Sequence, residues 1–177
     1  REKIELAKLL DKLCVSAIEL EGIHNSKVDS LRIKSIASSV TGSIVAVPVQ
    51  LTQESPAQVW SALQQAKSPR LQVCGAVSAV QMEYLFHKKP EAMKTAIAET
   101  VAACKALCSD VEFLADDATR ADPDFLHSVI RTAMASVSDL CVVQMQDYLG
   151  LGAEARMNTP GTLGGNWQWR LQKEQID

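Results

Sequence analysis

No apolar run in this 177-residue chain approaches the roughly 18 residues that a membrane-spanning helix requires, so a helical span is not expected. The opening stretch REKIELAKLL carries carboxylates where a secretory leader has a bare basic region, and the expected location is the cytoplasm. An excess of one charge is missing too. With 18 Lys and Arg against 21 Asp and Glu, the net charge of -3 offers no pull toward nucleic acid or an anionic membrane surface. The basic residues are scattered rather than gathered with aromatics, so neither nucleic acid nor membrane is an expected partner. Only three histidines occur, His24, His87 and His127, and none has a spacing that completes a four-ligand metal site. Gly161, Gly164 and Gly165 follow no strand-to-helix turn, which excludes a dinucleotide or P-loop fingerprint. No nucleophile-elbow motif surrounds any serine. The five cysteines, Cys14, Cys74, Cys104, Cys108 and Cys141, are odd in number and sit in apolar segments, as buried thiols of a reducing compartment do.

What is present is an alternation of helical and strand patterns. Residues 2 to 13 place Ile4, Ala7 and Leu10 together with Leu6, Leu9 and Leu13 on one broad apolar stripe. VSAIEL follows as a short strand, then a helix from about Ser26 to Val40, and SIVAVPV as a strand with Pro48 at its exit. In ESPAQVWSALQQA, Ser55, Pro56 and Gln58 have the spacing of a capping box. LQVCGAV is the third strand, and the stripe Met93, Ile97, Val101, Cys104 and Cys108 marks a long helix leading to the strand DVEFLA. Asp122 and Pro123 start another helix, and DLCVVQM reads as the fifth strand.

About five parallel strands with covering helices make an α/β protein, expected to have both sheet faces covered. The pattern leaves three arrangements open: an open sheet, a flavodoxin-like sheet and a partial (β/α) barrel, since a complete barrel takes eight strands and about 250 residues. One domain spanning 1–177 is expected, with exposed sheet edges that invite self-association.

Chemistry in such folds gathers at the C-terminal ends of the strands. Those positions hold Glu19, Glu21 and His24; Gln50 and Thr52; Ser78, Gln81, Glu83 and Tyr84; Asp116, Asp117, Thr119 and Arg120; and Gln144, Gln146, Asp147 and Tyr148. Glu19, Glu21, His24, Ser78, Asp116, Asp117, Arg120 and Asp147 are the candidate ligand-binding residues. No catalytic residue and no metal ligand is assigned.

Residues 1 to about 130 resemble the isopropylmalate and homocitrate synthase family of acyl-CoA-condensing (β/α)8 enzymes. KIELAKLLDKLCVSAIEL, SAVQMEYLFHKKPEAM and DVEFLADDATRADPDFLHSVI carry that likeness. From about Val129 to Leu171 the chain resembles instead the C-terminal end of a 4-alpha-glucanotransferase (amylomaltase), another barrel enzyme, above all in ARMNTPGTLGGNWQWRL. The two likenesses divide the domain into a synthase-like segment 1–130 and a glucanotransferase-like segment 131–177. In the second, Trp167 and Trp169 read as a cover over a sheet edge or barrel end, with sugar stacking as the sharper alternative.

The condensing family's first-strand Arg-Asp-Gly motif and late His-x-His pair do not occur here. Val77 stands where that family has threonine, and Leu114 and Asp116 stand for its serine and second glutamate. The glucanotransferase resemblance implies a carboxylate pair on strands upstream of the matching segment. These departures lead to the expectation of an engineered or chimeric scaffold without catalytic activity and without a resident cofactor. The alternatives are a metal-dependent acyl-CoA-condensing enzyme of weak or complementing activity, for which a divalent metal is implied, and a module binding a small anion or sugar.

Overall fold

The computed structural model describes residues 2–24, 26–136, 140–142, 151, 153–155 and 168–173. Its framework is one parallel sheet of five strands: β1 (Ala17–Glu19), β2 (Ile44–Val49), β3 (Pro69–Ala76), β4 (Val111–Asp116) and β5 (Leu140–Val142). The helices between them are α1 (Glu2–Lys12), α2 (Ser26–Ala37), α3 (Ser55–Leu63), α4 (Ala79–Tyr84), α5 (Pro90–Leu107) and α6 (Pro123–Ala135).

Strand order in space is the order in sequence, β1-β2-β3-β4-β5, and every neighbouring pair is parallel. A flavodoxin-like sheet is thereby excluded, because its order reverses at a switch point. Sequential parallel strands joined by right-handed crossovers carry all their helices on one face. The helices accordingly pack in a chain, α1 on α2, α2 on α3, α3 on α5 and α5 on α6. The fold is therefore a partial (β/α) barrel, and the expectation of a sheet covered by helices on both faces is corrected.

The two faces differ in chemistry because side chains alternate along a strand. Toward the helices point Val45, Val47 and Val49, Leu71 and Val73, and Val111 and Phe113, all buried. The opposite parity brings Glu19, Arg70, Gln72, Cys74, Glu112 and Asp116 to the inner face. Gly75 has the helix-facing parity, where a Cβ would lie 2.7 Å from Ile97 Cδ1 and 2.9 Å from Phe113 Cε2. Gly75→Ala should therefore overpack the β3–α5 contact and lower stability by about 1 to 2 kcal/mol, measured by urea unfolding.

Local signals mostly place the elements where the residues suggest. Asp122 caps α6, its Oδ1 accepting from the Phe125 N–H at 2.9 Å. Ser55 does not form a capping box: α3 starts at Ser55 itself, and the Ser55 Oγ accepts the Gln50 N–H at 2.9 Å, tying the β2 exit to the helix. Asp11, near the end of α1, accepts the backbone N–H groups of Thr41, Gly42 and Ser43 at 2.9, 3.0 and 2.7 Å. Those bonds to the ionised form hold its pKa far below the usual carboxylate range. The broad stripe of α1 is split, since Ala7 is buried with Ile4 and Leu10 beside it while Leu6, Leu9 and Leu13 are exposed. One short helix, α4, has no counterpart in the sequence reading.

Candidate functional site

The inner face holds a buried polar bridge. Gln72 Nε2 on β3 donates to Glu112 Oε2 on β4 at 2.7 Å and to Glu19 Oε1 on β1 at 2.9 Å. Gln72 and Glu112 are buried, and the bridge from β3 to β1 passes over β2, where the small Ala46 and Pro48 stand. Arg70 supplies the positive charge, with Nε 2.9 Å from Asp110 Oδ1 and Nη1 3.8 Å from Glu112 Oε1. Arg70, Gln72 and Glu112 are absent from the candidates read from sequence. A signal for them exists in the sequence: Arg70, Gln72 and Cys74 alternate with apolar residues in PRLQVCGA, and Glu112 shares one parity with Asp116 in VEFLAD.

Beyond Gln72 on the same face stands Cys74, whose thiol pKa burial pushes up to about 12, with the charges of Asp116, Glu112 and Glu19 adding to the effect. A thiol so shifted is not a nucleophile near neutrality.

At the C-terminal strand ends three candidates meet. Asp117, at φ 60°, takes the left-handed conformation directly after β4, which Asp tolerates better than bulkier residues. Its carboxylate accepts from Arg120 Nε at 2.8 and 3.0 Å, pairs with Arg120 Nη2 at 2.7 Å and accepts a hydrogen bond from the Ser78 hydroxyl. Ser78, fully buried, also caps α4 by accepting the Gln81 N–H at 3.2 Å, and an antiparallel bridge joins Ser78 to Ala121. The cluster thus locks the exits of β3 and β4 together. Partial burial works to raise the Asp117 pKa, but the bonds from Arg120 and Ser78 outweigh it and hold the carboxyl below its ordinary value.

Asp116 is the neighbouring group with opposite behaviour. The residue is exposed, yet the protein atoms crowding its carboxyl, and then the charge of Asp117, raise its pKa. A carboxyl with a higher pKa folded than unfolded binds more protons when folded, so its charged form opposes folding above that window. Asp116→Asn is therefore expected to stabilise the chain at neutral pH and to flatten the rise in stability that the wild type shows as pH falls through the raised pKa. Thermal melts between pH 4 and about 7 check this.

The other candidates lie apart. Glu21 is exposed and faces Lys3 Nζ at 2.8 Å and Arg32 Nη1 at 2.9 Å, the Lys3 hydrogen bond first and then the two cationic charges lowering its pKa. His24 is exposed, and its backbone N–H donates to Asp29 Oδ2 at 2.8 Å. Asp147, Trp167 and the glycines of the tail lie outside the described residues, while Trp169 is half-buried.

A divalent ion does not fit this set. Among the described residues no group of three or more His, Cys, Asp and Glu could hold one. Glu19, Glu21 and Asp117 are already engaged by Gln72, by Lys3 and Arg32, and by Arg120. Among the described residues no helix is long and apolar enough to cross a membrane.

Sequential parallel strands with helices on one face define a sector of a (β/α) barrel. The chain belongs to the 4-alpha-glucanotransferase family, whose model matches residues 59–175, more than half of it. It is also similar to 2-isopropylmalate synthases. That of Clostridium kluyveri is 34% identical over 149 residues, covering 84% of this chain and 29% of that protein. That of Halalkalibacterium halodurans is 31% identical over 149 residues, covering 84% and 28%. For Pyrococcus furiosus the values are 35% over 128 residues, 72% and 26%. The chain thus spans less than a third of the length of these relatives.

These similarities overturn the expectation of a non-catalytic engineered or chimeric scaffold. Synthase likeness extends over 84% of the chain, and the glucanotransferase match begins at residue 59, far ahead of the segment that carried that resemblance. The missing Arg-Asp-Gly and His-x-His motifs do not carry that expectation. The chain spans 29% of the Clostridium kluyveri relative, so the absence of these motifs here is no argument against catalysis.

Proposed function

We propose that this chain is one sector of a synthase-like acyl-CoA-condensing barrel, of the kind its 2-isopropylmalate synthase relatives represent, with an activity completed by further strands. The observation that carries this reading is the strand-end cluster of Ser78, Asp117 and Arg120 with Asp116 beside it. A condensation of an acyl thioester with an oxo acid needs a cation for the acid's carboxylate and a base near the carbon that loses a proton.

Arg120 meets the first need. Its side chain is 54% exposed even though Asp117 engages Nε and Nη2. Asp116 meets the second, as an accessible carboxyl whose raised pKa makes it a better proton acceptor than an ordinary aspartate. Ser78, being buried, acts through Asp117 as a positioning residue.

The test is an NMR titration of the chain with a short 2-oxo acid, following the Arg120 side-chain N–H signals and the Asp116 carboxyl carbon. Saturable shifts at both, lost in Arg120→Ala, are the expected result. Titration to millimolar acid without a shift at either group would overturn the reading.

A further inference from the structure

We propose that the groove between α3 and α5, in the helical layer, binds a short peptide with free ends, two or three residues long and laid along α5. The proposal goes beyond the strand-end reading, since Ser78, Asp116, Asp117 and Arg120 do not line this groove.

The sequence of α5 makes the room. Ala96, Glu99, Thr100 and Ala103, spaced three and four apart, share one face of that helix, and the two alanines leave space that longer side chains would fill. The rest of the wall comes from the start of α3 and from Leu51, Thr52 and Gln53 at the exit of β2. The hollow measures about 510 Å³, inside the range of roughly 300 to 1,000 Å³ that small-molecule sites occupy.

Three polar groups in it are uncommitted. Thr95 and Thr132, also helical, each donate to the carbonyl four residues back at 2.9 Å. Thr100 is 6% exposed, yet its hydroxyl makes no hydrogen bond to any described residue. Among the described residues the one sealed polar side-chain atom without a partner is Ser43 Oγ, so the Thr100 hydroxyl keeps its access to the hollow that Thr100 lines. Lys88, half-buried on the same wall, and Glu99, exposed, have no ion-pair partner among the described residues, whereas Lys94 pairs with Glu91 at 2.8 Å. A half-buried ammonium without a counter-ion has lost solvation that nothing in the protein replaces, and a ligand carboxylate would replace it.

The spacing of the two charges selects the ligand. Lys88 precedes the first residue of α5, Pro90, and Glu99 follows Pro90 by nine positions, a rise of about 13 Å. The long lysine stem and the lean of a helical glutamate toward the helix N-terminus bring the charged atoms to a separation on the order of 7 to 10 Å. At about 3.5 Å per residue, that is the distance between the ends of a dipeptide or tripeptide. Its carboxylate would meet Lys88 and its ammonium Glu99. The peptide groups between would face Thr100, Thr52 and Gln53, which both donate and accept, and small side chains would rest on Leu51, Ala96 and Ala103. A single amino acid carries both charges on one carbon and does not reach both groups. An anion without a cationic end would face the Glu99 carboxylate unpaired.

The probe is trialanine with free ends, added to the full chain and followed by NMR at the Ala96, Thr100 and Ala103 amides. Saturable shifts at these amides are the expected result. Amidating the peptide's carboxylate should weaken binding to the wild type by about tenfold and have little effect in Lys88→Met, while acetylating its amine should do the same and lose its effect in Glu99→Gln. Thr100→Val should weaken binding severalfold without lowering the melting temperature, because the hydroxyl has no protein partner to lose. Titration to millimolar trialanine without saturation would overturn the proposal. So would equal affinity for the peptide capped at both ends, or alanine itself binding as tightly as trialanine. None of these readouts involves Arg120 or Asp116, so the groove and the strand-end chemistry fail separately.

Discussion

Gln72→Leu is expected to lower stability by about 3 kcal/mol, the largest single effect predicted for this chain. Gln72 is 3% exposed and Glu112 6%, and one amide nitrogen serves both Glu112 and Glu19. Leucine fills the space but removes both donors, leaving the Glu112 carboxylate buried with the Arg70 guanidinium at 3.8 Å as its nearest compensation. An ionised group stripped of its hydrogen bonds in the interior costs more than the bonds themselves contribute. Adding Glu112→Leu to Gln72→Leu removes the stranded charge, so the double variant should recover much of the loss. Urea unfolding of the four proteins of this double-mutant cycle measures the coupling, and simple additivity would show that the bridge carries no special weight.

Asp117→Ala is the second large change, lowering stability by about 2 kcal/mol. It removes the acceptor of the buried Ser78 hydroxyl and the carboxylate that holds Arg120 by two nitrogens. Affinity for a 2-oxo acid should fall with it, because Arg120 is no longer oriented and Ser78 no longer ties β3 to β4. The pH dependence has a definite sign. The Asp117 pKa is lower folded than unfolded, so its contribution is present above the ordinary aspartate value and is lost as pH falls through the folded value. The gap between wild type and variant should thus close in acid, and a gap constant down to strongly acidic pH would argue against an ionised Asp117 in the clamp.

Asp116 and Asp117 differ in behaviour although they are adjacent in sequence. Protein atoms crowding its carboxyl and the neighbouring like charge raise the pKa of one, while Arg120 and Ser78 lower that of the other. Adjacent groups pushed in opposite directions are a recurring arrangement where one carboxyl must take a proton and the other must stay charged.

Several features were legible from short-range patterns alone. The apolar run of DVEFLA, the 3.6-residue stripe from Met93 to Cys108 and the Asp122–Pro123 start signal each specify an element from local sequence, and β4, α5 and α6 lie within a residue of where those patterns put them. The strand-end rule likewise brought Ser78, Asp116, Asp117 and Arg120 to notice, since chain order alone places them after β3 and β4.

Strand order was decided by tertiary structure. Periodicity reports which residues a strand buries but not which strand lies beside it, so only the pairing β1-β2-β3-β4-β5 excluded a reversal and put the helices on one face. That one-sidedness makes Arg70, Gln72 and Glu112 inner-face groups rather than misfits in apolar strands. The union of Glu19 with Gln72, 53 residues apart, and of Ser78 with Asp117, 39 residues apart, depends on register and on the left-handed turn at Asp117. The amphipathic pattern of α1 shows the same division: six apolar positions specify the helix, and only the position of its neighbours leaves Leu6, Leu9 and Leu13 exposed. Local chemistry selected the elements, and long-range pairing selected which of their polar groups meet.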